Sequence, residues 1–283
     1  MKPAYIVGRK VIKFYPDQCG MEPNIIGDKI MRRITKIFII LLAMAALTTA
    51  CVAPFQPRIV RGSGEVIVEY RDVSSFDKIL VSGAGRVFIT QGDPESLSIE
   101  TDENLMEYIK TEVKGDTLEI GFSDDVVFSS GRGRIALDPS EGFVFRISVV
   151  DLEKISVSGA ADFEVKKLKT EQFDINLSGA GQVTVGDLDA SSVNVLVSGA
   201  GDVHLAGRVG TQVVILNGLG RYQAFELESQ EAAVTISGAG GAELWAIDKL
   251  DVTISGAGDV KYYGNPSVSK SISGVGIVQS QGE

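Results

Sequence analysis

The sequence predicts an all-β protein: a parallel β-solenoid, right-handed, built from coils of about 20 residues with two strands per coil, and closed at its N-terminal end by a β-rich cap. Three observations predict it. A Ser-Gly-Ala-Gly tetrad and its variants begin at Ser82, Ser158, Ser178, Ser198, Asn217, Ser237, Ser255 and Ser273, and from Ser158 onward the intervals are 20, 20, 19, 20, 18 and 18 residues. Apolar residues alternate on both sides of each tetrad, the pattern of a half-buried strand. The tetrad glycines fall in the apolar phase, where an absent side chain signals close approach of another backbone.

The phase is clearest from Val193 to Leu205. Val193, Val195, Val197, Val203 and Leu205 share one face, and Asn194, Leu196, Ser198, Asp202 and His204 the other. Gly199 and Gly201 keep the apolar phase, as do their counterparts between Ile236 and Leu244 and between Val252 and Tyr262. The simplest geometry is two strands per coil with a tight bend at the tetrad, where glycine also supplies a positive φ if the bend demands one. Stacked coils place equivalent residues about 4.8 Å apart, so the seven copies from Ser158 to Ser273 make a rod section of roughly 30–35 Å. Each coil buries its inward Val, Ile and Leu on its neighbours and is not stable alone. Turn chemistry stands at the other ends of the coils, in residues 185–192, 206–212 and 263–269.

The 76 residues between Ser82 and Ser158 span about four periods and hold either degenerate coils or an inserted element. Asp102 to Ile109 reads as a short capped helical turn with Leu105, Met106 and Ile109 facing in. Residues 111–122 read as a hairpin about Gly115-Asp116, and 142–159 as strand. Residues 65–151 are therefore expected to form the cap and the first coil, and 152–283 the regular coils, because open solenoid ends expose strand edges that must be covered. The polar tail from Ser267 would blunt the far end.

Ahead of the solenoid lies an address. Arg32, Arg33 and Lys36 precede an uninterrupted apolar run from Ile37 to Ala46, and small residues lead to Cys51. The run is too short for a comfortable membrane span and reads as a secretory signal. It resembles a bacterial lipoprotein signal, with Thr48 where leucine is usual, so residues 31–50 are expected to be a signal peptide and Cys51 the lipidated residue. Val52 is not the aspartate that retains such proteins at an inner membrane, so the expected location is the cell envelope, at the outer membrane if the organism has one. Residues 1–30 read as an upstream extension before the start at Met31, and 51–64, with Pro54, Pro57 and Gly62-Ser63-Gly64, as a tether.

Composition excludes several function classes. Net charge is −10, and without the first 50 residues 19 basic and 34 acidic residues remain, a balance of −15. Such a surface repels nucleic acid. The two cysteines, Cys19 and Cys51, both precede the repeats, and His204 is the only histidine. A disulfide framework and metal sites built on Cys or on paired His are thereby removed, and a Ser-His-Asp site could use His204 alone. No cofactor is expected.

The residues also match a family. The stretch SFDKILVSGAGRVFITQGDPESLSIETDENLMEYIKTEVKGDTLEIGF (75–122), followed by iterated VSGAGDV, resembles the GIN-domain family of auto-transporter adhesin head domains. The resemblance covers residues 64–283. It implies a β-solenoid of the bacterial envelope and brings no catalytic residue set. The chain lacks the alternating strands of a translocator barrel, so it is not itself an auto-transporter.

Candidate site residues follow. A serine ladder (Ser158, Ser178, Ser198, Asn217, Ser237, Ser255) lacks a matching set of bases, and its hydroxyls are expected to satisfy bend groups and one another. Asp162, Asp202 and Asp259 follow the tetrad in three of eight copies, too sparsely for the calcium cage of Gly-Gly-x-Gly-x-Asp repeats. Asp162 and Asp202 lie two coils apart, about 9–10 Å, a separation that an inverting glycosidase tolerates. His204 is expected at the surface. Trp245 and Tyr263 point outward on adjacent coils with Tyr222 nearby, the most site-like cluster in the chain. The first expectation is a non-enzymatic, lipid-anchored rod that displays a binding surface, with Asp162, Asp202, Asp259, Trp245 and Tyr263 as its candidates. Its partners would be the membrane, through the lipid on Cys51, and an envelope glycan or protein. The alternatives are a polysaccharide-acting enzyme using the outward carboxylates and an envelope sensor or signalling partner.

Overall fold

The repeated tetrads stack in register. In the computed structural model, which describes residues 58–126 and 135–282, Ala160 pairs with Ala180, Ala180 with Ala200 and Ala239 with Ala257, all in parallel ladders. The described residues all lie in the second of two units of the chain, Gln56–Glu283. The expected upstream extension (1–30), the expected signal peptide (31–50), the expected lipidation site Cys51 and residues 51–57 of the expected tether lie outside them.

The strands are β1 (Arg58–Arg61), β2 (Val66–Arg71), β3 (Lys78–Val81), β4 (Ala84–Gln91) and β5 (Ser96–Asp102), followed by a 3-10 helix (Glu103–Tyr108). Then come β6 (Ile109–Lys114), β7 (Thr117–Phe122), β8 (Ile135–Asp138) and β9 (Val144–Val149). The regular coils hold β10 (Lys154–Val157), β11 (Ala160–Val165), β12 (Leu168–Leu177), β13 (Ala180–Val197), β14 (Ala200–Leu216), β15 (Arg221–Ile236) and β16 (Ala239–Ile254). They end in β17 (Ala257–Tyr263), β18 (Ser267–Ile272) and β19 (Val278–Ser280). Residues 58–61, read above as tether, form β1 and pair with β8.

Alternation of burial breaks at the tetrad and again at two other places. In β13, Val183 and Val185 face in, Gly186 and Asp187 are exposed, Leu188 and Ala190 face in, and Ser191 is exposed before Val193. The segment expected as a turn, 185–192, is thus a short side between two corners, and the ladder shifts there between Val185 and Leu188. Inside, equivalent residues form columns of unequal size. Phe145, Val87, Phe163, Val183, Val203, Tyr222, Ala242 and Val260 stack in one, so that three large rings are interspersed with smaller side chains in the interior. Each buried Val, Leu, Ile or Phe contributes on the order of 1.5–3 kcal/mol.

The bend explains its own sequence. The first tetrad glycines form a column in which a β-carbon would meet the carbonyl oxygen of the glycine one coil back: 1.9 Å at Gly179, 1.8 Å at Gly199 and 2.0 Å at Gly256. That carbonyl accepts the next coil's tetrad N–H, as from Ala180 to Gly159 and Ala200 to Gly179 at 2.9 and 3.0 Å. Crowding therefore runs along the rod, and close approach rather than a positive φ demands glycine at this position.

The 76-residue gap holds both of the expected solutions. The first coil, β3 and β4, pairs directly with β10 and β11 of the Ser158 coil. On its other side lie β7 and β9, parallel to β3 and β4, forming a coil without a tetrad. Antiparallel β6 then covers β7, β5 covers β9, and β2 adds to β5. Leu105, Met106 and Ile109 are buried as expected. Asp102, fully buried, ties this cap together. Its carboxylate accepts the Gly64 N–H at 2.8 Å and the Ser140 N–H and hydroxyl at 2.8 and 2.7 Å.

Candidate functional site

The side of the rod that follows the tetrad carries the three candidate aspartates, and Trp245 and Tyr263 stand at the corner where it ends. Strand alternation points one residue in two outward, and stacking sorts these into columns. The column nearest the bend runs Arg86, Asp162, Gln182, Asp202, Arg221, Gly241 and Asp259. The next runs Phe88, Glu164, Thr184, His204, Gln223, Glu243 and Lys261. At the far margin Trp245 lies in register with Tyr263.

The three aspartates share one task. Asp162 accepts the backbone N–H of Gln182 at 3.0 Å, Asp202 that of Arg221 at 3.2 Å and Asp259 that of Ile277 at 2.9 Å. Each carboxylate thus satisfies an amide one coil on, beside the bend. Asp202 is further engaged by the Arg221 guanidinium, with Nη2 at 2.6 Å and Nε at 3.2 Å. That hydrogen bond holds the Asp202 carboxyl below the usual carboxylate range, and partial burial opposes it only in part. Glu243 is likewise paired with Lys261 at 2.6 Å. Gln182 separates Asp162 from Asp202, and Asp202 and Glu243 are each ion-paired, so this side brings no two carboxylates together as a convergent pair.

The serines stay at the corner. Ser178 donates its hydroxyl to the Val157 carbonyl at 3.0 Å, and Ser237 to the Asn217 side-chain oxygen at 2.9 Å. Among the described residues no three His, Cys, Asp or Glu side chains converge on a common point.

Hollows mark the same side. A cavity of about 410 Å³ is lined by Arg86, Phe88, Asp162, Glu164, Gln182 and Thr184. A second, of about 210 Å³, lies against Arg221, Gln223, Glu243, Asp259 and Lys261. A third, of about 220 Å³, is bordered by His204, Gln223 and Phe225. Phe225 is 42% exposed, and its ring centre lies 6.3 Å from that of Tyr263. At the other end of the row Arg146 stacks 5.3 Å over the Phe88 ring.

The family model described as "Putative auto-transporter adhesin, head GIN domain" matches residues 75–266. The chain belongs to the GIN-domain family. Solved GIN-like structures agree with its fold. A putative adhesin from Bacteroides fragilis is 26% identical with a TM-score of 0.71, covering 78% of this chain and 99% of its own. A putative lipid binding protein from Parabacteroides distasonis is 24% identical with a TM-score of 0.66, covering 79% and 99%. A putative adhesin from Parabacteroides merdae, 19% identical with a TM-score of 0.59, covers 79% and 99%. No curated protein matches the chain significantly.

Within this GIN domain Asp162, Asp202 and Asp259 share one side, Trp245 and Tyr263 stand at the corner where that side ends, and Tyr222 does not join them. Tyr222 faces the core, fully buried in the column between Val203 and Ala242, and burial pushes its hydroxyl pKa up. Its hydroxyl bonds Gln212 at 2.8 Å, and Gln212 bonds Ser229 and the Trp245 carbonyl, an interior polar cluster that holds the Trp245 backbone from behind. Phe88 and Phe225 are additions that alternation around Trp245 and Tyr263 did not single out. Aligning the tetrads places Phe88 two residues past the position of Asp162. Phe225 sits at a ladder irregularity between Ala224 and Glu228, which no periodic pattern marks.

Proposed function

We propose that this GIN domain is exported, lipidated at Cys51 and held at the cell surface, where it acts without catalysis by binding through the side of the rod just described. The observation that carries this reading is a continuous row of outward columns in which Asp202 and Glu243 are ion-paired with Arg221 and Lys261, with an aromatic margin at Trp245 and Tyr263. Such a row offers shape, hydrogen bonds and ring faces at fixed positions along several coils, as repeat proteins do on their recognition surfaces. Membership of an adhesin-head family and the adhesin description of the Bacteroides fragilis relative support the same role and a surface location. Glycosidase chemistry would need one carboxylate free to donate a proton and another to activate water. Asp202 is bound to Arg221, which disfavours the enzyme alternative. Binding of lipid inside the fold, as the name of the Parabacteroides distasonis relative would invite, is disfavoured by the filled interior columns.

The test is binding of the exported chain to arrayed glycans, purified envelope polymers and surface proteins. The expected result is a restricted set of ligands whose binding falls when Trp245 and Tyr263 are replaced by alanine. Absence of binding to all three classes would contradict the proposal.

A further inference from the structure

The two ends of the solenoid are finished differently. At the cap end antiparallel strands cover the coil edges. At the other end β18 pairs only with β16 and β19 only with β17, so among the described residues their outer edges have no partner. Val268 and Ile272 are 36% and 41% exposed, whereas Leu250 and Ile254, their equivalents one coil in, are wholly buried. Between them stands Lys270, in the inward column of Val195, Val214, Val234 and Val252. Among the described residues Lys270 has no carboxylate partner.

We propose that this end receives an extended segment of another protein as an added strand, with an acidic residue against Lys270 and apolar residues two positions to either side against Val268 and Ile272. A bare edge supplies the backbone groups for strand addition, and pockets for alternate side chains supply its specificity. The apolar–x–acidic–x–apolar pattern reads the same in both chain directions, so it serves parallel and antiparallel docking alike. A second copy docking end to end would bring two lysines into one desolvated column, an arrangement that like charges disfavour. The charge selects against self-stacking and for a carboxylate-bearing partner.

Fluorescein-labelled peptides Thr-Val-Thr-Glu-Thr-Val-Thr and Thr-Val-Thr-Lys-Thr-Val-Thr test this against the full chain by polarisation, with hydrogen exchange read over residues 267–280. The Glu peptide is expected to bind at least about tenfold more tightly and to slow exchange in 267–272. Lys270→Glu, an exposed change whose fold is checked by circular dichroism, is expected to reverse the preference. Equal binding of the two peptides, protection elsewhere, no binding, or concentration-dependent self-association that protects this end would each overturn the proposal.

Discussion

The carbonyl oxygen of Gly179 lies 1.8 Å from the point where a β-carbon on Gly199 would stand. No side chain fits between these two coils, and the same relationship recurs between Gly218 and Gly238 at 2.1 Å. The tetrad is thus a stacking device that fixes the register of the columns beside it.

Gly199→Ala is expected to destabilise the domain by at least about 3 kcal/mol, because the clash is with backbone hydrogen-bonded in the ladder and cannot relax cheaply. Gly121→Ala is the control: nothing lies within 4 Å of its added β-carbon, and the change is expected to stay within about 1 kcal/mol. Urea midpoints compare the two directly.

Asp202→Ala removes the acceptor of the Arg221 N–H along with the ion pair. The expected cost is about 1 kcal/mol, and Asp202→Asn, which keeps an oxygen for the amide, is expected to cost less. Chemical denaturation of both variants at neutral pH checks the order.

Acid should loosen the cap through Asp102. Burial alone would raise this carboxyl's pKa, but hydrogen bonds from Ser140 and Gly64 outweigh it and leave the folded value below the ordinary 3.8. A lowered folded pKa stabilises the protein fully above the unfolded value, and that contribution is lost as pH falls through the folded value. Asp102→Asn is expected to cost roughly 2–4 kcal/mol at neutral pH, since an amide group cannot accept from all three donors, and to flatten stability between pH 4 and lower values. Thermal melts across that range of pH measure both effects.

Trp245 is the chain's one tryptophan and stands at the margin of the proposed binding side, so its fluorescence reports occupancy there. A ligand of this side is expected to shift or quench the emission, and Tyr263→Ala to weaken that ligand about tenfold while leaving the melting temperature within a few degrees. A titration of each variant with the same ligand provides the comparison.

Much of this arrangement is legible in the chain, for reasons that can be named. The inward phase of Val193, Val195, Val197, Val203 and Leu205 is local, because alternation and burial have the same period. The adjacency of Trp245 and Tyr263 follows from an 18-residue interval. The coil made by β7 and β9 is not legible in the same way: it has no tetrad, and its place on the far side of the Ser82 coil is set by long-range pairing. The sequence puts Tyr222 near the outward aromatics, but its alignment with Val203 places it in the core column, where its hydroxyl finds Gln212. That the three aspartates accept amides one coil on is not legible, because such a hydrogen bond leaves no trace in spacing.

As proposed, recognition belongs to the outward columns and the tetrad to the scaffold. The most direct measurement is the affinity of one ligand found on the glycan, envelope and surface-protein panels for three proteins: the unaltered chain, Ser198→Ala at the corner, and Trp245→Ala with Tyr263→Ala on the side. The corner variant is expected to bind within about twofold of the unaltered chain, and the side variant to lose at least about tenfold. Loss of binding in the corner variant with retention in the side variant, both remaining folded, would contradict it.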